Sequence, residues 1–176
     1  MHRNVFFLSD NHFCHSNILN FYDYRGQLLR PGFSDVVSMN EYMIEQWNSV
    51  VRPNDKVYHL GDIIVSTARY RFEEIFPRLN GDIVLVKGNH DKAKLSLYVD
   101  YFRDIRSEVM LKHPKTLKKI IFSHRPIFLG EYDESSLNVH GHIHDNVLED
   151  HRYFNVSVEQ LNYRPIAWEE LTQLLG

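Results

Sequence analysis

Five short apolar runs in this chain each stop at a cluster of potential metal ligands. Val5–Leu8 closes on Ser9-Asp10-Asn11-His12. Residues 56–60, Lys-Val-Tyr-His-Leu, close on Gly61-Asp62, and Asp82–Val86 closes after Lys87 on Gly88-Asn89-His90-Asp91. Ile120-Ile121-Phe122 closes on Ser123-His124, and Leu137-Asn138-Val139 on His140-Gly141-His142-Ile143-His144. Runs of four to eight apolar residues bounded by turn residues read as buried strands. Open α/β sheets gather ligands at the carboxyl ends of their strands. The chain is therefore read as a sheet protein whose polar strand ends converge on one site.

Helical periods fall between the strands. Ser38-Met39-Asn40-Glu41 has capping-box spacing and opens a helix through Trp47, with Met39, Tyr42, Met43, Trp47 and Val50 on its apolar face. Thr67–Leu79 reads as a second helix and Trp168–Leu175, after Pro165, as a terminal one. Ser107–Leu111 and Lys118–Phe122 flank a hairpin turn, and Tyr153–Val158 is a short strand. Helical crossovers early and strand pairs late point to a mixed sheet, or two facing sheets, with helices outside. The least regular stretch, Tyr22–Ser34, reads as a surface loop.

Length and charge bound the rest. The 176 residues match one domain, read as 1–176. No run approaches the roughly 20 apolar residues of a membrane span, so no membrane partner is expected. One cysteine, Cys14, excludes a disulfide framework and fits a reducing, cytoplasmic setting. It reads as a small buried hydrophobe. A net charge of −3 without a basic block argues against strong nucleic-acid binding. A homo-oligomer is compatible with all of this.

Eleven histidines are the compositional oddity. With histidine this frequent, an isolated His-x-His arises by chance, so His142-Ile143-His144 alone decides nothing. His59, His113 and His151 are read as structural or solvated, and His2 as part of a solvated terminus. On extended chain, residues two apart point the same way, which would aim Asp10 with His12 and His142 with His144 into one site. Gly61, Gly88 and Gly141 would allow a tight turn before each ligand. The mixed carboxylate, imidazole and amide set suits manganese, iron, zinc or nickel. Asp62, at the centre, could bridge two ions.

The order Asp10-Asn11-His12, Gly61-Asp62, Gly88-Asn89-His90-Asp91, Ser123-His124-Arg125-Pro126 and Gly141-His142-Ile143-His144 resembles the calcineurin-like metallophosphoesterase superfamily. The tail, from Phe154-Asn155-Val156-Ser157-Val158 to Trp168-Glu169-Glu170, is similar to that of small bacterial and phage members. The resemblance implies a β-sandwich of mixed sheets flanked by helices, a four-layer α/β/β/α arrangement. It implies two divalent metal ions, with manganese favoured. Asp10, His12 and His144 would hold the first and Asn89, His124 and His142 the second, with Asp62 bridging. It implies hydrolysis of phosphodiesters or small phosphorylated metabolites by a hydroxide shared between the ions, with His90 facing the leaving group.

This chain departs from the protein-phosphatase members where they carry Gly-Asp-x-x-Asp-Arg. Here Val65 and Ser66 stand in place of the acid and the arginine. Asp91 is the nearby acid that could orient His90 instead. The short intervals between motifs leave no room for a cap domain, and Arg25 and Arg30 in the Tyr22–Ser34 stretch are the candidates for substrate binding. Two other readings stand beside the phosphoesterase: a non-catalytic metal-binding assembly module with the same fold, and a nuclease of the same superfamily.

Overall fold

The computed structural model describes residues 3–131 and 133–176, so His2 lies outside the described residues. The first sheet has the order β4-β3-β2-β1-β9. Its strands are β1 (Val5–Leu8), β2 (Lys56–His59), β3 (Asp82–Val86), β4 (Asp104–Arg106) and β9 (Ile166–Ala167). The first four run parallel and β9 joins β1 antiparallel. The second sheet has the order β5-β6-β7-β8: β5 (Glu108–Lys112), β6 (Lys119–Ser123), β7 (Ser136–His140) and β8 (Tyr153–Asn155). β5 and β6 form the expected hairpin, while β6, β7 and β8 are parallel.

Alternation along the strands divides the core in two. Phe6 and Leu8 of β1, Val57 of β2 and Ile83 and Leu85 of β3 face the helices. These are α1 (Val36–Val50), α2 (Arg69–Ile75) and α3 (Leu95–Tyr98), which contribute Met39, Met43, Trp47, Phe72 and Tyr98 to the same cluster. Phe7, Tyr58, Val84 and Val86 point the other way and meet Val109, Ile120, Phe122 and Val139 of the second sheet. Phe7 stacks on Phe122 with ring centroids 4.6 Å apart, a contact that fixes one sheet over the other. The terminal helix α4 (Trp168–Leu174) packs on β1 and β9, with Leu171 entering the inter-sheet cluster. The result is two mixed sheets flanked by helices.

Local signals explain the boundaries. The first long helix begins three residues before the expected start, because Asp35 is its N-cap and Ser38 is the third helical residue of the capping box. The helix expected over Thr67–Leu79 is α2 followed by a short 3-10 turn, Phe76–Arg78, where Pro77 denies the backbone a donor. The Tyr22–Ser34 stretch is a shaped loop. Tyr22 bridges Leu28, and Asp23 Oδ1 accepts from the backbone N–H groups of Arg25 and Gln27.

Candidate metal centre

All the polar clusters lie beyond the carboxyl ends of β1, β2, β3, β6 and β7. Two donor groups form there: Asp10 with His12 and His144, and Asp62 with His124 and His142. Asp62 joins them. Its Oδ2 lies 3.6 Å from His12 Nε2 and 3.3 Å from His124 Nε2. Its other oxygen, Oδ1, accepts the backbone N–H of His90 at 2.7 Å. Only Oδ2 is left to face both groups.

Asp10 is arranged in the same way. Its Oδ2 accepts from Ser157 Oγ at 3.0 Å and from the backbone N–H of His142 at 2.8 Å. Its Oδ1 is buried without a hydrogen-bond partner, as is His12 Nε2, 3.7 Å away. A fully buried carboxylate oxygen and a bare imidazole nitrogen aimed at each other are costly unless a cation sits between them. Burial alone would push the Asp10 carboxyl up; the imidazoles of His12, His144 and His124 outweigh it and hold the carboxyl well below its usual range.

The second group has the same character. His124 Nδ1–H donates to the Leu60 carbonyl at 2.8 Å, so its Nε2 meets two acceptors, Asp62 Oδ2 and Asn89 Oδ1 at 3.0 Å. That geometry needs a cation, either a second ring proton or a metal ion. Burial opposes charge on His124, but Asp62 and Asp10 overcome it and raise the pKa. The donors present, two carboxylates, four imidazoles and one amide, fit borderline divalent ions.

The backbone holds these side chains in strained conformations. Asp10, His12, Asp62, His142 and His144 all have positive φ, between 51° and 72°. The extended i, i+2 geometry expected for Asp10/His12 and His142/His144 is therefore not what aligns them: β1 ends at Leu8, and each ligand sits in a left-handed turn. The glycines act differently from expectation as well. Gly61 has φ +97° and makes a turn, but Gly88 and Gly141 are needed for close approach. A Cβ on Gly141 would lie 2.2 Å from Asp10 Oδ2, and one on Gly88 would lie 2.2 Å from Asp62 Oδ1.

His90 lies beside the first group, its ring centroid 5.2 Å from that of His12. Asp91 does not orient it. Its oxygens accept the backbone N–H groups of Asp62, Gly88 and Ile63, and burial pushes its carboxyl up to about 6. Asp91 thus ties the β2 and β3 loops together.

Arg30, one of two candidates for substrate contact, is instead almost wholly buried, 1% exposed. Its guanidinium donates to the carbonyls of Asp10 at 2.6 Å and Asn11 at 2.8 Å, and pairs with Glu159 at 2.8 Å. A guanidinium has five donors in a fixed fork, and here the fork is spent on the ligand loop. Arg25 is exposed and lies over the Tyr24 ring. Glu159, in turn, accepts from His144 Nδ1–H at 3.1 Å. Burial would raise the Glu159 carboxyl, yet Arg30 and His144 keep it lowered.

Sequence reasoning missed Ser157, Glu159 and His15, which touch the ligands rather than stand among them. In Ser157-Val158-Glu159 two polar residues flank one apolar residue, which is too short a pattern to signal a site. Two of the other histidines have structural partners: His59 Nε2–H donates to Asn11 Oδ1, and His113 Nε2–H to the Thr172 carbonyl, while His151 is exposed. His140 is buried at the end of β7 and donates to Gly141 O. Cys14 is half-buried against the helical core, and burial pushes its thiol up. A hollow of about 490 Å³ opens beside His144, walled by Phe21, Tyr22 and Tyr24 of the shaped loop and by Asp145 and Asn146.

Comparison with known proteins places these features. The sequence model of the calcineurin-like phosphoesterase family matches residues 3–174. An uncharacterized protein of Methanocaldococcus jannaschii is 34% identical over 181 residues, covering 98% of this chain and 92% of that protein. A crystal structure of a protein of unknown function from Aquifex aeolicus superposes with a TM-score of 0.73 at 30% identity, covering 98% of this chain and 100% of that one.

Proposed function

Because the chain belongs to the calcineurin-like phosphoesterase family, we propose that it is a two-metal hydrolase of phosphate esters that prefers phosphodiesters. The observation that carries the reading is the meeting of two metal-donor groups at one oxygen, Asp62 Oδ2. Asp10, His12 and His144 would hold one ion, and Asn89, His124 and His142 the other. A pair of divalent ions, when bound, supplies a water of lowered pKa and offsets charge on the phosphoryl oxygens. The mixed set of three oxygen donors and four imidazoles suits manganese, iron, zinc or nickel, and manganese is the ion we favour.

The chain's own residues do the remaining work. Ser157 and the His142 N–H aim Asp10; the His90 N–H aims Asp62. The His90 ring, half-buried beside the first group, is the residue to donate a proton to the leaving oxygen. The organic part of the substrate would rest in the hollow between Phe21, Tyr22, Tyr24 and His144. A net charge of −3 favours a small ester over a polynucleotide. The full set of donors favours catalysis over an assembly role. No helix among the described residues is long and apolar enough to cross a membrane, and the one free cysteine fits a reducing cytoplasm.

The diester preference follows from Val65 and Ser66. Without an arginine at 66 the site has one fewer cation for a dianionic monoester, whereas a diester carries one negative charge. The test is matched kinetics of the metal-reconstituted protein on bis-p-nitrophenyl phosphate and p-nitrophenyl phosphate. A higher kcat/KM is expected for the diester. A clear monoester preference would overturn the substrate reading, and hydrolysis of neither by fully loaded protein would overturn the hydrolase.

A further inference from the structure

The assigned histidine ligands need their second ring nitrogen tied down, because a hydrogen bond there fixes both tautomer and ring direction. His124 hands its Nδ1–H to the Leu60 carbonyl and His144 hands its own to Glu159. His12 is different. Its Nδ1 lies 3.2 Å from the Nδ1 of another imidazole, His15, and the two rings stack with centroids 5.3 Å apart.

Two ring nitrogens at that distance share one proton, so one ring must donate and the other accept. The direction follows from the far side of His12. Its Nε2 is buried, unpartnered and faces Asp10 Oδ1 and Asp62 Oδ2 at 3.7 and 3.6 Å. A metal donor must present a lone pair there, so a neutral His12 carries its proton on Nδ1. His15 Nδ1 is then the acceptor.

We propose that His15 is a positioning residue of the metal centre: its Nδ1 accepts the Nδ1–H of His12 and so holds His12 Nε2 as a lone-pair donor aimed at the first ion.

The fold secures His15 for this task from several sides. Its backbone N–H donates to the His12 carbonyl at 3.1 Å. It sits at the N-terminal boundary of the 3-10 turn Ser16–Asn20, whose Ile18 is buried in the core. Phe21 meets the ring edge-on at 5.6 Å. Between the two histidines, Phe13 is fully buried and Cys14 has φ +64°, which turns the chain back so that a residue three places on meets His12. A neutral His15 with a bare Nδ1 must carry its own proton on Nε2, so its protonation pattern is dictated from the metal site outward.

The inference rests on the two-metal reading, and the experiment separates the two. Full-length protein is titrated with zinc against a chromogenic chelator, as wild type, His15→Phe and His15→Asn. Phenylalanine keeps a ring against Phe21 but has no acceptor; asparagine can place Oδ1 where Nδ1 stood. Expected is a loss of about 10–100-fold in affinity for one of two zinc ions in His15→Phe, the range typical of a ligand's supporting partner, with near-wild-type affinity in His15→Asn. Long-range proton–nitrogen correlation on zinc-loaded wild type should show His12 protonated at Nδ1 and His15 at Nε2. Unchanged affinity in His15→Phe, equal losses in both variants, or a proton on His15 Nδ1 would each overturn the role of His15. Should His15→Phe not fold, the tautomers of the wild type decide. A wild type that takes up no zinc would instead overturn the metal centre itself.

Discussion

Replacing Arg30 with methionine should damage the fold far more than it damages substrate affinity. The side chain is fully enclosed, and its guanidinium supports the Asp10 and Asn11 carbonyls and the buried Glu159 together. Methionine fills most of the volume, so the loss is one of partners rather than of packing. Removing one member of a buried ion pair typically costs about 3–5 kcal/mol, because the surviving charge stays in the interior. In a domain of this size each kcal/mol moves the melting temperature by about 2–4 °C. The expected fall is thus about 6–20 °C, a large part of a total stability of about 5–15 kcal/mol. Acid should reveal the cause. In the wild type the Glu159 pKa is depressed, so its contribution is present at neutral pH and lost as pH falls through the folded value. In the variant Glu159 keeps only His144 as a partner, so its pKa rises and its charged form is less favoured. The gap between the two proteins should therefore narrow as pH falls toward about 4. Urea denaturation of metal-free protein at pH 7 and pH 4.5 measures both. A loss below about 1 kcal/mol at pH 7, or a gap that widens in acid, would refute the assignment of Arg30 as a buried clamp.

Three further outcomes are expected. His90→Ala should keep its metal and its fold while turnover falls by about 10²–10⁴-fold, and less for a nitrophenolate leaving group than for an alkoxide; equal losses on both would assign His90 to phosphate binding. Asp62→Asn should lose more metal than Asn89→Ala by elemental analysis, since Asp62 Oδ2 faces both donor groups and Asn89 only one; equal retention would remove Asp62 from the bridging position. Stripping the metals with a chelator should leave a cooperatively folded protein whose melting temperature rises again with added manganese; a chain that unfolds on stripping would show that the metals build the fold.

The strands that carry the ligands were legible because parallel strands buried on both faces read as unbroken apolar runs. β1 and β3 match the expected boundaries to the residue, and β2 ends one residue early. What escaped was short. β4 has three residues, β9 two and α3 four, too few to show any period. Asp10, His12, Asp62, Asn89, His124, His142 and His144 stand out as candidate ligands because each falls within four residues of a strand end, where the sheets bring them together. The residues that hold them do not. Ser157 reaches Asp10 across 147 positions and Glu159 reaches Arg30 across 129, and no local pattern encodes such a contact. Arg30 was misread for the same reason: an arginine in a loop is ordinarily exposed, and only the fold supplies a buried carboxylate and two free carbonyls to receive it.

The strain at the centre shows what the rest of the fold is for. Five of the candidate ligands sit at positive φ, and each such residue costs on the order of 1–3 kcal/mol. Something must over-determine those conformations. The loop after β1 is bonded to the loop after β2: Asp10 N–H to Gly61 O at 3.0 Å, His12 N–H to Asp62 O at 2.9 Å and Phe13 N–H to Ile63 O at 2.9 Å. Both loops are anchored by Phe13, Ile63 and Ile64, all fully buried in the helical cluster. Asp91 then ties the β2 loop to the β3 loop, and the His142 N–H ties the β7 loop to Asp10. Four strand ends are thereby locked to one another, the first two through backbone bonds and the others through the carboxylates of Asp91 and Asp10. The two glycines complete the argument. At Gly88 and Gly141 the neighbouring chain approaches so closely that a single methyl group would strike the carboxylates of Asp62 and Asp10. Such tight approach leaves the two carboxylates little room to turn, so the surrounding chain helps to fix them. The donor set is therefore held ready by the hydrophobic core, with the core's surplus stability holding the strain.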